Sequence, residues 1–283
     1  MRRLRLLVDP FVCEDGGARA CREILLDLSE VTFVTPGSLA PLAALVEYMS
    51  KMLPPLRLQA PADPDCRRYL AAAGLLQMLR KFVTVRGAEE LDGVGPSNSA
   101  DAVLPLTRLG GQSDLFPFLQ HLEHRLDAIL GYADDSWNAT KRPIISTVRE
   151  LCENVFQHAR GAPGWLAAQK YHSRDGKPFV EISIADAGAG VRRTLATNHT
   201  EFLTTTDGEA LERMVKEHLS RHTDPQRGNG YYVLQEATRE LDGSFFLRSG
   251  SGGVGRQRRS RLQSEDGLGY WPGTHLELRL TCP

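Results

Sequence analysis

Between Gly87 and Asp101 the chain drops its runs of apolar residues and becomes a stretch containing Gly93, Gly95, Pro96, Ser97, Asn98 and Ser99. Such residues favour turns and exposed connections over packed elements. Whatever the chain folds into is therefore divided there. We place a first unit at residues 1–86, a linker at 87–109 and a second unit at 110–283. The length of 283 residues suits two units, since domains run to about 150 residues each.

In the first unit, Leu4 to Val8 and Glu23 to Leu28 read as strands, the second nearly continuous in apolar residues as buried strands are. Thr35-Pro36-Gly37-Ser38 forms a turn in which Ser38 is placed to cap a helix from Leu39 to Met52, with Leu42, Leu45, Val46 and Met49 at helical spacing. Leu56 to Leu58 is strand-like, and Cys66 to Phe82 is a second helix interrupted at Gly74. In the second unit, helices are expected from about Ser113 to Tyr132 and Asn138 to Ala159. Strands follow at Gly164–Tyr171, Phe179–Ala185, Ser244–Arg248 and Thr274–Thr281, with helices near Gly208–Ser220 and Tyr231–Leu241 between them. Strands alternating with helices make both units α/β.

Three segments of the second unit carry chemistry together. On a helix, Glu150, Asn154 and His158 fall at i, i+4 and i+8 and share one face. The Asn154 carboxamide oxygen suits magnesium, a hard ion that takes oxygen donors. Glu150, one turn earlier, is placed to deprotonate a water, with Glu153 a less well placed rival. Next, the apolar run from Phe179 to Ala185 ends in Asp186-Ala187-Gly188-Ala189-Gly190. A carboxylate there can accept the amine of adenine, and the glycines let backbone approach a base or ribose. Third, Arg227-Gly228-Asn229-Gly230 leads into a helix whose first amides favour phosphate. Pro272-Gly273-Thr274 opens the last strand, with the Thr274 hydroxyl positioned to share the hydrogen bonding around Asp186.

The order and spacing of these segments resemble the GHKL ATPase superfamily, which includes DNA gyrase, heat-shock chaperone ATPases, histidine kinases and anti-sigma-factor kinases. Glu150-x-x-x-Asn154 matches its N box, Asp186-x-Gly188-x-Gly190 its first glycine box and Gly228-x-Gly230 its second. Over residues 110–283 the resemblance implies a Bergerat α/β sandwich binding ATP and Mg2+. In it Asn154 holds the metal, Asp186 reads adenine, Glu150 is catalytic and the Gly228–Gly230 loop touches phosphate. Val191 to Arg227 would then be a lid, with Arg221, His222 and Arg227 as phosphate contacts. The run Ile24 to Leu39, with Tyr69-Leu70-x-x-x-Gly74-Leu75 after it, resembles STAS domains, which implies an interaction module for another protein. The family's phosphoacceptor Asp-Ser pair is replaced by Thr35-Pro36-Gly37, leaving Ser38 as the nearest hydroxyl.

The leading expectation is a regulatory ATP- and magnesium-binding switch with ATP hydrolysis, dimerising with itself on nucleotide closure. A serine/threonine kinase acting on a separate STAS-type partner is a second reading, and an interaction module with a vestigial nucleotide site a third. A net charge of -1 draws in neither nucleic acid nor anionic lipid globally. Arg248, Arg256, Arg258, Arg259 and Arg261 still gather in one region, where nucleic acid is a minority expectation. Gly250 to Gly255 satisfies G-x-G-x-x-G but precedes a basic polar run, not a helix, and is expected to be a loop. His121 and His124 lack the motif of a phosphoaccepting histidine. Five scattered cysteines, without a C-x-x-C pair, and no apolar run of about 20 residues point to a reduced cytoplasmic protein off the membrane.

Overall fold

Two separate sheets organise the chain. The computed structural model describes residues 23–52, 55–94, 102–130, 135–159, 161–173, 175–217, 219, 230–258 and 260–281. The first unit forms β1 (Ile24–Asp27), α1 (Pro36–Met52), β2 (Leu56–Gln59), α2 (Pro64–Ala72), α3 (Leu75–Leu79) and β3 (Thr84–Arg86). Its three strands run parallel in the order β1-β2-β3. Gly74, at φ 81°, separates α2 from α3, as its position inside the helical pattern implied. The strand expected at Leu4 to Val8 lies outside the described residues.

The second unit forms β4 (Ala102–Leu109), α4 (Leu115–Leu130), α5 (Asp135–His158), β5 (Gly164–His172), β6 (Pro178–Asp186), α6 (Val191–Leu195), α7 (Asp207–Glu217), α8 (Gly230–Glu240), β7 (Ser244–Gly250), β8 (Gly252–Arg256), β9 (Gln263–Glu265) and β10 (Trp271–Thr281). The strands make one antiparallel sheet in the order β4-β5-β6-β10-β7-β8-β9. The protein is thus mixed α/β, with one parallel and one antiparallel sheet.

Three expectations change. Ala102 to Leu109, assigned to the linker, is an edge strand whose register against β5 shifts twice, so its apolar pattern is broken and reads poorly. Gly252 to Gly255 is not a loop but part of β8. Gly253 is held against Phe246, whose ring lies 2.8 Å from where a Cβ would sit, so packing overrides the low strand propensity of glycine. Finally, Ser38 does not cap α1. The helix begins at Pro36, a residue whose fixed φ suits a first turn, and Ser38 lies inside it.

Alternation along the strands gives the antiparallel sheet two different faces. Val180, Ile182 and Ile184 of β6, Leu166 and Ala168 of β5, and Leu276, Leu278 and Leu280 of β10 point into a core with α4, α5, α7 and α8. The opposite face carries Trp165, Ala167, Ala185 and Trp271, which share one core with Leu39, Leu42, Val46 and Met49 of α1 and with the small parallel sheet. Helix α1 is therefore sandwiched between the sheets, which explains why it is apolar on almost every side. The linker divides the sequence without dividing the core.

Polar groups pin α1 to the sheet. Glu47, 2% exposed, accepts from Arg108 at 2.8 and 3.0 Å, from Lys51 at 2.7 Å and from the Trp165 indole at 3.0 Å. At the start of the helix, the Gly37 N–H donates to Glu181 at 3.1 Å, and Arg279 donates to the same carboxylate at 2.7 Å. Pro41, inside α1, has no N–H to give the Gly37 carbonyl one turn back. The His275 ring, from β10, supplies that hydrogen bond instead.

Because both sheets share α1, chemical denaturation followed by far-UV circular dichroism and by tryptophan emission should give one coincident transition. Glu47→Ala leaves Trp165 and Arg108 without their acceptor. It should lower stability by about 3 kcal/mol, at the lower end for a buried pair because Arg108 still reaches water. Two separate transitions, with only one shifted, would contradict the shared core.

Candidate functional site

Asp186 ends β6 with the parity of Val180, Ile182 and Ile184, so its carboxyl falls on the helical face. Only 4% of the residue is exposed. Its Oδ1 accepts from the Gly188 N–H at 2.7 Å, and the backbone of Thr274 also donates to the carboxylate. Thr274 is the direct cross-strand partner of Asp186 on β10. Among the described residues no cation pairs with Asp186. Burial pushes its carboxyl up to about 7, against the pull of those two N–H donors.

Close approach shapes the turn after it. A Cβ on Gly188 would come within 2.4 Å of the Ala159 backbone, so the end of the Glu150–Asn154 helix rests directly on the glycine turn. Gly273 has φ 85°, and its missing Cβ leaves room for the Asp186 carboxyl and the Gly188 amide. Ser249 staples these pieces together: its hydroxyl accepts from the Val191 N–H at 2.9 Å and donates to the Gly273 carbonyl at 2.7 Å. Gly190 sits immediately under Ser249.

Helix α5 carries Glu150 and Asn154, both half-buried, with Val148, Leu151, Cys152 and Val155 packed into the core. Burial raises the Glu150 carboxyl above its ordinary range, the charge of Glu153 adds to this, and Arg149 opposes it. Such a shift moves a carboxylate toward the range in which it can take a proton near neutrality. Helix α8 lies alongside α5 and begins at Gly230. Tyr231, one residue on, is close enough to Asp186 for that charge, after burial, to help push its phenol upward.

Two of the segments singled out in the sequence thus meet, the α5 end touching the glycine turn through Ala159 and Gly188, and the start of α8, which follows the third, lies beside Asp186. Arg227, Gly228 and Asn229 fall outside the described residues, as do Arg221 and His222. The expected lid is well packed in its first part. Leu211, Met214 and Val215 of α7 are buried, Arg192 pairs with Asp207 at 2.8 Å, and Asp266 accepts from Thr206 at 2.8 Å and from the Gly208 N–H at 2.7 Å.

A buried acid without a counter-ion, ringed by backbone donors on one side, fits a ligand that brings a hydrogen-bond donor. Asn154 fits a magnesium ion that takes its remaining oxygens from phosphate and water. Among the described residues, no group of three or more His, Cys, Asp or Glu side chains could hold a metal by itself. Sequence reasoning missed the polar groups between α1 and the other sheet face, Glu47 of the helix and Glu181 and Glu277 of the strands. The available signal was Glu181 and Ser183 alternating with apolar residues in β6, which marks a second face with its own partners.

Two variants test this geometry. Because the folded Asp186 titrates near 7 instead of 3.8, the folded chain holds a proton that the unfolded chain releases. This group's contribution to stability is complete below pH 3.8 and is lost as pH rises through about 7. Asp186→Asn should therefore melt above the parent protein at about pH 8 and show no such gain at about pH 4, by differential scanning calorimetry. Gly188→Ala forces the α5 end off the turn and should cost roughly 2 kcal/mol or more; an unchanged melting temperature would refute the contact.

No protein-family model matches this chain, and no curated protein matches it.

Proposed function

We propose that the second unit is a Bergerat-type α/β sandwich that binds and hydrolyses ATP with Mg2+, and that the first is a STAS-like module through which nucleotide state is passed to another protein. The observation that carries this reading is the Asp186 carboxyl, buried without a cation at the end of β6. In support, the Glu150–Asn154 helix abuts the same turn and α8 starts beside it.

In this reading Asp186 accepts the exocyclic amine of adenine, with Thr274 and the backbone of Gly188 and Gly190 framing the base. Asn154 lends its carboxamide oxygen to magnesium. Arg227 and the amides of Gly228, Asn229 and Gly230 receive the phosphates. Glu150, raised by burial, takes a proton from the attacking water. A bound magnesium would neutralise charge on the phosphates. Among the described residues no helix is long and apolar enough to cross a membrane, and a cytoplasmic setting, with dimerisation on nucleotide closure, belongs to the same proposal.

Titration calorimetry with ADP and with ATP plus magnesium is the direct test, and absence of heat with both would refute nucleotide binding. Asp186→Asn should weaken ADP by about tenfold to a hundredfold, the cost of losing a hydrogen bond to a charged group. Since the amine of adenine favours the ionised carboxylate, ADP affinity should rise with pH up to about 7 and then level off, with protons released on binding below that point. Glu150→Gln should abolish phosphate release while leaving ADP affinity nearly intact. Unchanged turnover would remove Glu150 from the mechanism.

A further inference from the structure

A cavity of about 390 Å³ opens between the two units, on the flank of the glycine turn that bears Gly190 and Val191. Tyr48 of α1 contributes one wall, Tyr270 and Trp271 of the last strand and its approach another, and Arg192 and Arg193 of α6 a third. Asp186, Glu150, Asn154 and Tyr231 are not in its lining. The volume falls within the range of small-molecule sites.

Its chemistry is specific. Arg192 is offset by Asp207, also in the lining, at 2.8 Å. Arg193 is exposed, and no carboxylate among the described residues lies within 4.0 Å of its guanidinium. The lining therefore carries one net positive charge. Trp271 is only 2% exposed, so it backs the cavity without offering it a free ring face. An uncompensated guanidinium at the mouth and tyrosine rings from two parts of the chain, Tyr48 and Tyr270, describe a receptor for an anion attached to a flat ring: the guanidinium takes the anion in a fork, and the rings take the planar body.

We propose that this cavity is a second ligand site, which shares Ala189 and Gly190 of the glycine turn but not the Asp186 carboxyl, and that it takes a small organic anion bearing an aromatic ring, with phosphate or carboxylate as the anionic group. The ligand would touch α1 of the first unit and the segment leaving the glycine turn at once, so occupancy would fasten the two together. The inference stands independently of whether nucleotide binds at Asp186.

The test uses the full chain, with phenyl phosphate and benzoate as ring-bearing anions, inorganic phosphate as the anion alone and benzyl alcohol as the ring alone. Binding is followed by calorimetry and by tryptophan emission. The expected result is saturable binding of phenyl phosphate or benzoate, the tighter of the two identifying the anion, with inorganic phosphate and benzyl alcohol both weaker. Arg193→Ala and Arg193→Glu should each weaken that binding at least about tenfold, with unchanged melting temperature because Arg193 is exposed. Tyr48→Ala should weaken it as well, and Asp186→Asn should leave it unchanged. The proposal is overturned by full affinity in both Arg193 variants, by a loss in Asp186→Asn instead, by benzyl alcohol binding as tightly as the anions, or by no saturable signal from either ring-bearing anion at millimolar concentration.

Discussion

The two-residue repeat of β6 governs what surrounds it. Successive side chains of a strand point to opposite faces, and a one-residue slip would exchange them. With Val180, Ile182 and Ile184 committed to the helical core, Asp186 must emerge on that same side, at the point where the strand ends and glycines take over. Glu181 and Ser183 are then committed to the other side, where burial at 1% and 0% leaves them no water. Thus a single register sets both a desolvated carboxylate beside α5 and α8 and a polar face that something else must cover.

Helix α1 covers it, and its irregularities are the reason it can. Its N-terminal amide at Gly37 reaches Glu181, and any side chain at Gly37 would collide with Glu277, whose carboxyl lies 2.8 Å from the position of a Cβ. Pro41 frees the Gly37 carbonyl for His275. Burial, reinforced by the charge of Arg248, drives the His275 ring down to about 3, so it is neutral at physiological pH and donates one N–H without bringing a charge. Glu277 is pushed up to about 7 by burial and by the charge of Glu181, while Arg279 opposes the shift. Arg279 offsets Glu181, and the second glutamate, Glu277, can hold a proton, so burying these carboxyls leaves little uncompensated charge.

The longer helices and strands were legible because they show their period, α5 and β6 among them, whereas β3, β9 and α6, at three to five residues, are too short to show one. What stayed illegible was decided by contacts distant in sequence. Gly253 and Gly255 join a strand because Phe245 and Phe246 leave no space for a Cβ. The strand at Ala102–Leu109 pairs irregularly with β5, which erases its alternation. Pro36 and Gly37 start a helix, where the turn chemistry pointed to Ser38, because the sheet supplies the partner for the first turn. At the site, Asp186 and its glycines stood out through their order and spacing with Glu150–Asn154 and Gly228–Gly230, since an acid at a strand end is by itself common. The closeness of Ala159 to Gly188 had no local signal.

The glycine turn is consequently clasped from two directions. On the helical side it bears against Ala159 and lies near Tyr231; on the other it borders the cavity that Tyr48 and Trp271 line. Ser249 ties the segment leaving the turn to the Gly273 corner through a hydroxyl used once as donor and once as acceptor. Residues this tightly packed have few intermediate arrangements, and a ligand that favours one arrangement changes the affinity of the opposite side by the same factor that it experiences in return. If both sites are occupied in use, the sign of that coupling follows from whether the Gly188–Gly190 backbone that suits a purine beside Asp186 also keeps Arg193 at the cavity mouth. Under the proposed function, the five residues from Asp186 to Gly190 would then carry that coupling, and helix α1, which reaches the cavity through Tyr48 and the sheet through Glu47, would feel the result.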